Sequence, residues 1–216
     1  MAFRAPARPL LAALLLAAAA LAGSVLSAVA WPDRAAAQDL KLPAPGTAVE
    51  FDNGSVYRAF ATVGDQVFVV ETTGDGRTVV HVMRYGRFDS LIFRNPSRSE
   101  IYFTKGSVED LLGATPDKPL EIAYEVYVDN RLTSRVNGVA LRGQVTPVEV
   151  AGTKLPTRPL SLQLSYYDPD GNFQQSVKLT RYFSEALGLP LRIEYENATS
   201  GEKFTITAKK VIEGTH

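Results

Sequence analysis

Arg-Tyr-Phe-Ser-Glu-Ala-Leu-Gly-Leu-Pro-Leu-Arg-Ile-Glu-Tyr-Glu-Asn, residues 181–197, reads as the end of one strand, a tight connection and the start of the next. Upstream, Val177, Leu179 and Arg181 alternate with Lys178 and Thr180. Downstream, Leu191, Ile193 and Tyr195 face one way while Arg192, Glu194 and Glu196 face the other. A period of two puts alternate side chains on opposite faces of a sheet. The second strand therefore has one apolar face and one charged face turned to water, as in an antiparallel sheet covered on one side. Between the strands, Ser184-Glu185-Ala186-Leu187 has room for one helical turn. Gly188 suits a left-handed stop there, and Pro190 both forbids further helix and starts a strand without a ladder N–H.

The same grammar runs through most of the chain. Val49–Phe51 ends at Asp52-Asn53-Gly54, a hairpin turn. Val56–Val63, Val67–Glu71 and Thr78–Tyr85 follow, separated by Gly64-Asp65 and Gly74-Asp75-Gly76. Leu91–Phe93 and Ile101–Phe103 are short apolar pieces around Asn95-Pro96-Ser97-Arg98. Residues 107–113 predict a short helix, with Ser107 as cap, Asp110 three residues on and Gly113 as stop. Glu121–Val128 alternates clearly, and Asp129-Asn130 turns it back into Leu132–Val136. Asn137-Gly138 is a further turn signal. Val145–Val150, Leu160–Tyr167, Asn172–Phe183, Leu191–Glu196 and Phe204–Val211 complete the set. No helix is long enough for a parallel crossover. The expectation is a mostly β domain over residues 48–216, a strongly curved antiparallel sheet or open barrel of roughly ten strands, with one or two short helices.

The first 30 residues read as a secretory signal: Arg4 and Arg8, an uncharged Leu/Ala run from Leu10 to Leu21, then small residues. Ala28-Val29-Ala30 and Ala35-Ala36-Ala37 both satisfy the small-x-small cleavage rule, so cutting after Ala30 or Ala37 is expected, with release to the periplasm. The competing reading is a retained anchor, since Pro9 to Trp31 exceeds the roughly 20 residues a span needs; the weak hydrophobicity of Ala and the cleavage triplets favour removal. Residues 31–47, rich in Ala and Pro, read as a flexible leader.

Removing residues 1–30 leaves 21 basic against 23 acidic residues, a net charge of −2. That balance argues against nucleic acid as a partner. The absence of Cys excludes thiol catalysis, Cys-based metal sites and disulfides, and fits a bacterial periplasm.

The inventory for catalysis is thin. The two histidines are His81 and the terminal His216. His81 sits mid-strand, where a solvated or locally bonded position is the expectation, and no carboxylate pair is placed beside it by the sequence. Asp168-Pro169-Asp170-Gly171-Asn172 opens like a calcium loop, but Phe173 stands where the loop needs Gly and Leu179 where it needs Glu; a hairpin turn is the simpler reading. No Gly-x-Ser-x-Gly elbow occurs. No catalytic residue, metal or cofactor is expected.

The excess is aromatic. Tyr124, Tyr166, Tyr182 and Tyr195 lie within strand runs, either as ordinary core or as the lining of a cavity that holds an apolar ligand. Arg181, beside Tyr182, is placed to meet an anionic head group or to make a salt bridge.

Three segments together carry a resemblance: Pro45-Gly46-Thr47-x-Val49-x-Phe51-x-Asn53-Gly54, the alternation around Val145–Gly152, and Tyr182-Phe183-Ser184-Glu185-x-Leu187-Gly188-Leu189-Pro190-Leu191-Arg192-x-Glu194. The chain resembles a broad group of uncharacterised bacterial exported β-proteins with such a hairpin near the C-terminus. That group is similar in style to the periplasmic lipoprotein-carrier half-barrel. The resemblance implies a hydrophobic cavity on a concave sheet and carries over no catalytic residues. The alternating strands with aromatics on the buried phase give the leading expectation, non-enzymatic binding of a lipid or lipoprotein on the concave face. The alternative expectation is an envelope protein partner, met through a sheet edge or an exposed patch.

Overall fold

A computed structural model describes residues 40–214. The stretch read as an export signal, both expected cleavage triplets and the first part of the expected leader lie outside them. The chain forms β1 (Ala48–Phe51), β2 (Val56–Val63), β3 (Gln66–Thr72), β4 (Thr78–Arg84), β5 (Phe88–Arg94), β6 (Ser97–Lys105), α1 (Val108–Gly113), β7 (Leu120–Val128), β8 (Arg131–Arg142), β9 (Thr146–Val150), β10 (Thr153–Tyr167), β11 (Phe173–Ser184), β12 (Pro190–Asn197) and β13 (Lys203–Ile212).

Every pairing is antiparallel, as the alternation implied. The expected count and openness are corrected. From β11 through β12, β13 and β1 the order continues strand by strand to β8 and then β10, and β10 pairs back onto β11. Twelve strands thus close into a barrel, which removes the free edges of a half-barrel. The thirteenth, β9, stands outside the ring. It pairs with Thr153–Thr157 of β10, whereas Leu160–Tyr167 of the same strand pair with β8. The two short apolar pieces are the middles of full strands, β5 and β6. Their ends, Arg94, Ser97, Arg98 and Lys105, are polar and carry no apolar period.

Asn137-Gly138 is not a turn. Both residues lie mid-strand in β8, Gly138 opposite Ile122 on one side and Leu164 on the other. A Cβ on Gly138 would sit 2.2 Å from the Gln163 carbonyl oxygen, so glycine serves close strand approach here. The connection in residues 184–190 forms as expected. Gly188 N–H donates to the Ser184 carbonyl at 3.0 Å, the Leu187 N–H to Ser184 Oγ at 3.2 Å, and Gly188 has φ +73°.

The inward phase is apolar at both ends of the barrel. One cluster joins Val49, Phe51, Val67, Val69, Leu191 and Ile193 with Val148 and Val150 of β9. The other joins Ile122, Tyr124, Val136, Leu160, Leu162 and Leu164 with Leu111 and Leu112 of α1. Outward positions carry exposed ion pairs such as Lys105–Glu121, Arg135–Glu125 and Lys203–Glu196. That charged wall is unlike the apolar band of a lipid-facing barrel. The described part of the stretch read as a leader, residues 40–47, lies on the barrel: Leu42 joins the first cluster, and Pro43 and Thr47 are buried.

Candidate functional site

Between the two apolar clusters the barrel interior holds a chain of ionisable groups. His81 of β4 is 5% exposed. Its Nδ1 lies 2.9 Å from Asp89 Oδ1 of β5, and its Nε2 lies 3.0 Å from Glu71 Oε2 of β3. With an acceptor on both ring nitrogens, both must donate, so the ring is an imidazolium. Arg181 comes from β11, five strand pairings from β5 in one direction and seven in the other. Its two Nη atoms each donate to Asp89 Oδ2 at 3.1 Å, so the ion pair spans the lumen. Arg181 Nε is buried without a partner among the described residues.

The electrostatics follow from this geometry. Burial opposes the charge on His81, but the hydrogen bonds it donates to Asp89 and Glu71 prevail and raise its pKa from 6.5 to about 9. Burial likewise opposes the charge on Asp89, yet Arg181 and His81 hold it well below the usual carboxylate range. Burial first, then the Glu71 charge, pushes the Tyr57 phenol up; its ring stacks on His81 at 6.0 Å.

Of the residues singled out for ligand binding, the structure brings three to this interior. Tyr124 and Tyr166 meet hydroxyl to hydroxyl at 3.5 Å, and Arg181 ties the far wall to Asp89. Tyr182 and Tyr195 are elsewhere. Arg192 lies 5.3 Å over the Tyr182 ring, and the Tyr182 hydroxyl donates to Glu194 at 3.3 Å. Tyr195 stacks on Phe204 at 4.9 Å. The interior around Tyr124 is filled by the chain itself: Phe88 and Phe103 stand 5.7 and 5.8 Å from its ring. The carboxylates beside His81 went unread because Glu71 and Asp89 are ten and eight residues away along the chain. The one local hint was an Asp within the run Phe88-Asp89-Ser90-Leu91-Ile92. The Asp168 loop is a hairpin turn, its carboxylate accepting from Asp170 N–H and from Asn172 through both backbone and side chain.

A cavity of about 340 Å³ opens at the barrel end that carries α1. Leu111, Leu112, Leu160 and Phe183 supply an apolar wall, and Leu40 and Lys41 close one side. Arg87, Arg142 and Arg158 also line it, with Glu185 as its one carboxylate. Ser107 caps α1 by accepting from Asp110 N–H at 3.0 Å, and Arg142 Nη1 closes the other end on the Leu112 and Ala114 carbonyls at 2.8 and 3.3 Å. The helix that forms the wall is thus held at both termini.

No family model and no curated protein matches the chain. Among solved structures, the chain is similar to the hypothetical lipoprotein YmcC from Escherichia coli, at 10% identity and TM-score 0.47, over 81% of this chain and 89% of that one. A protein from Bacteroides fragilis named as exported, with a YmcC-like fold, gives 10% identity and TM-score 0.45 over 81% and 99%. A protein from Parabacteroides distasonis named as a lipoprotein gives 7% and 0.42 over 80% and 98%. All three are named as lipoproteins or exported proteins of bacteria. TM-scores below 0.5 carry nothing about activity.

Proposed function

We infer that this is a non-enzymatic binding protein of the bacterial envelope that holds an apolar ligand, a lipid or the acyl chain of a modified protein. The observation that carries the reading is the cavity beside α1. Its volume, about 340 Å³, is at the low end of the roughly 300–1,000 Å³ typical of small-molecule pockets. It suits one short acyl chain and not a two-chain lipid. The barrel interior, filled by two apolar clusters, offers less room, so the ligand moves from the expected concave face to the barrel end.

Two features support a role without chemistry. Both nitrogens of His81 are engaged by carboxylates inside the barrel, which leaves neither as a base toward a substrate. No Ser or Thr hydroxyl is hydrogen-bonded to that ring among the described residues. The partner-binding alternative has little sheet edge to use among the described residues, because closure pairs twelve strands around the ring, and on the outer edge of β9 Pro147 lacks an N–H.

Native mass spectrometry of the protein purified from a bacterial periplasm, followed by organic extraction, tests the reading. One apolar molecule per chain is expected, and Leu112→Trp, which fills the cavity, removes it. A bare chain at its calculated mass under gentle ionisation overturns it.

A further inference from the structure

The cavity is not merely apolar; its charges do not balance. Arg158 is matched, its Nε and Nη2 reaching Glu185 Oε1 at 3.1 and 2.8 Å. Arg87 and Arg142 are not. Among the described residues neither has a carboxylate within ion-pair reach; their partners are carbonyls. Arg87 is 8% exposed, its Nη1 donates to the Gly188 carbonyl at 2.6 Å, and its guanidinium lies 4.6 Å over the Phe183 ring. Arg87 feels the field of Arg142, and Arg142 that of Arg158. Burial first, and the nearby Arg142 charge, take Arg87 from 12.5 down to about 10, the Glu185 carboxylate offsetting part of this. Burial and then Arg158 pull Arg142 down as well. A buried cation without a counter-charge is costly. A fold that keeps the buried Arg87, with the half-buried Arg142 near it, on the wall of a cavity leaves a place for an anion.

We propose that this cavity recognises a single-chain amphiphile bearing a carboxylate or a phosphate group. Arg87 and Arg142 take the oxyanion, and Leu111, Leu112, Leu160 and Phe183 hold the apolar part. The proposal rests on the apolar-ligand reading above and adds the head-group chemistry. Guanidinium groups suit the task because their planar forks match the oxygens of carboxylate and phosphate. They are also pre-placed here: Arg142 is fixed by the end of α1, and Arg87 by Gly188 and Phe183. Binding therefore demands little new ordering.

Isothermal titration of the purified protein with four probes tests it: sodium decanoate, decyl phosphate, decanol and inorganic phosphate, each below its micelle concentration where it has one. Decanoate or decyl phosphate is expected to bind at least tenfold more tightly than decanol, the scale of one charge-assisted hydrogen bond. Inorganic phosphate is expected to bind weakest of the anions. Arg142→Gln should lower decanoate affinity at least tenfold and leave decanol unchanged, while Arg142→Lys restores part of it. Arg142 serves because Arg87, more deeply buried, also supports the fold. Equal binding of decanol and decanoate, untouched by Arg142→Gln, overturns the head-group proposal and leaves the apolar-ligand reading standing. Inorganic phosphate as tight as decyl phosphate does the reverse: it keeps the anion site and removes the acyl reading. Binding by none of the four overturns both.

Discussion

Replacing Asp89 with Asn removes the charge on which the interior chain converges. Its carboxylate accepts one bond from His81 and two from Arg181, all at 2.9–3.1 Å and with side-chain exposures of 9%, 7% and 17%. Removing one partner of a buried ion pair costs about 3–5 kcal/mol, chiefly because the other charge is left buried. For a chain of this length, each kcal/mol moves Tm by about 2–4 °C, so Asp89→Asn should melt about 6–20 °C lower at pH 6. The pH profile is a sharper mark. His81 titrates higher folded, at about 9, than at its ordinary 6.5. Its contribution, on the order of 3 kcal/mol, is complete below pH 6.5 and lost as pH climbs through 9. Asp89 is held below its ordinary 3.8, so its contribution is present above about pH 4 and lost as acid is added. The native protein should be most stable between about pH 4.5 and 6.5 and weaken toward pH 10. In Asp89→Asn the alkaline loss should shrink to less than half, since only Glu71 still holds the ring. Urea unfolding from pH 4 to 10 reads both effects. Asp89→Asn/Arg181→Met, which withdraws the stranded cation too, should regain at least about 1 kcal/mol over the single variant. A single variant within about 1 kcal/mol of native at pH 6, or one with an unchanged alkaline slope, refutes the idea that a trans-lumen charge chain braces the barrel.

Gly188→Ala should cost at least about 1–2 kcal/mol in urea unfolding, from the left-handed φ alone; the new Cβ would also meet the Lys41 carbonyl oxygen at 2.8 Å and Pro43 Cδ at 2.7 Å. Gly138→Ala should lose about 1–3 kcal/mol or more by the same measurement, because its Cβ would press on the Gln163 carbonyl and push β8 from β10. Leu111→Ala, at a position 2% exposed, should lose about 2–5 kcal/mol, and calorimetry should show it as a clear fall in Tm. Tyr124→Phe should change stability by less than about 1 kcal/mol, because its hydroxyl contact with Tyr166 is long at 3.5 Å; a larger loss would show that this hydroxyl holds the two walls together.

Much of the local structure was legible. The period of two in Val177–Arg181 and Leu191–Glu196 appears as β11 and β12, in register Arg181 opposite Ile193 and Leu179 opposite Tyr195. Ser107 and Gly113 bound α1, and Gly188 stops the turn that begins at Ser184. Where local signals misled, a tertiary need outweighed them. Asn137-Gly138 has turn chemistry, yet pairing on both sides holds it in β8. The candidate site was less legible. Tyr124, Tyr166 and Arg181 do share the interior, but the cavity is assembled from Leu40, Arg87, Leu111, Arg142, Arg158 and Phe183, drawn from six separate stretches.

The reason is a matter of range. Alternation, caps, turn residues and the absence of Cys act over a few positions, so the chain by itself determined antiparallel strands, the short helix capped by Ser107 among one or two expected, and no disulfide framework. Closure depends on hydrogen bonds between β10 and β11 and between β8 and β10, and the charge chain on Arg181 meeting Asp89 from 92 residues away. A strand edge has the same backbone donors and acceptors whichever strand it meets. Only the tertiary structure decided which edges joined, and with that which charges were paired inside the barrel and which two arginines were left facing a cavity.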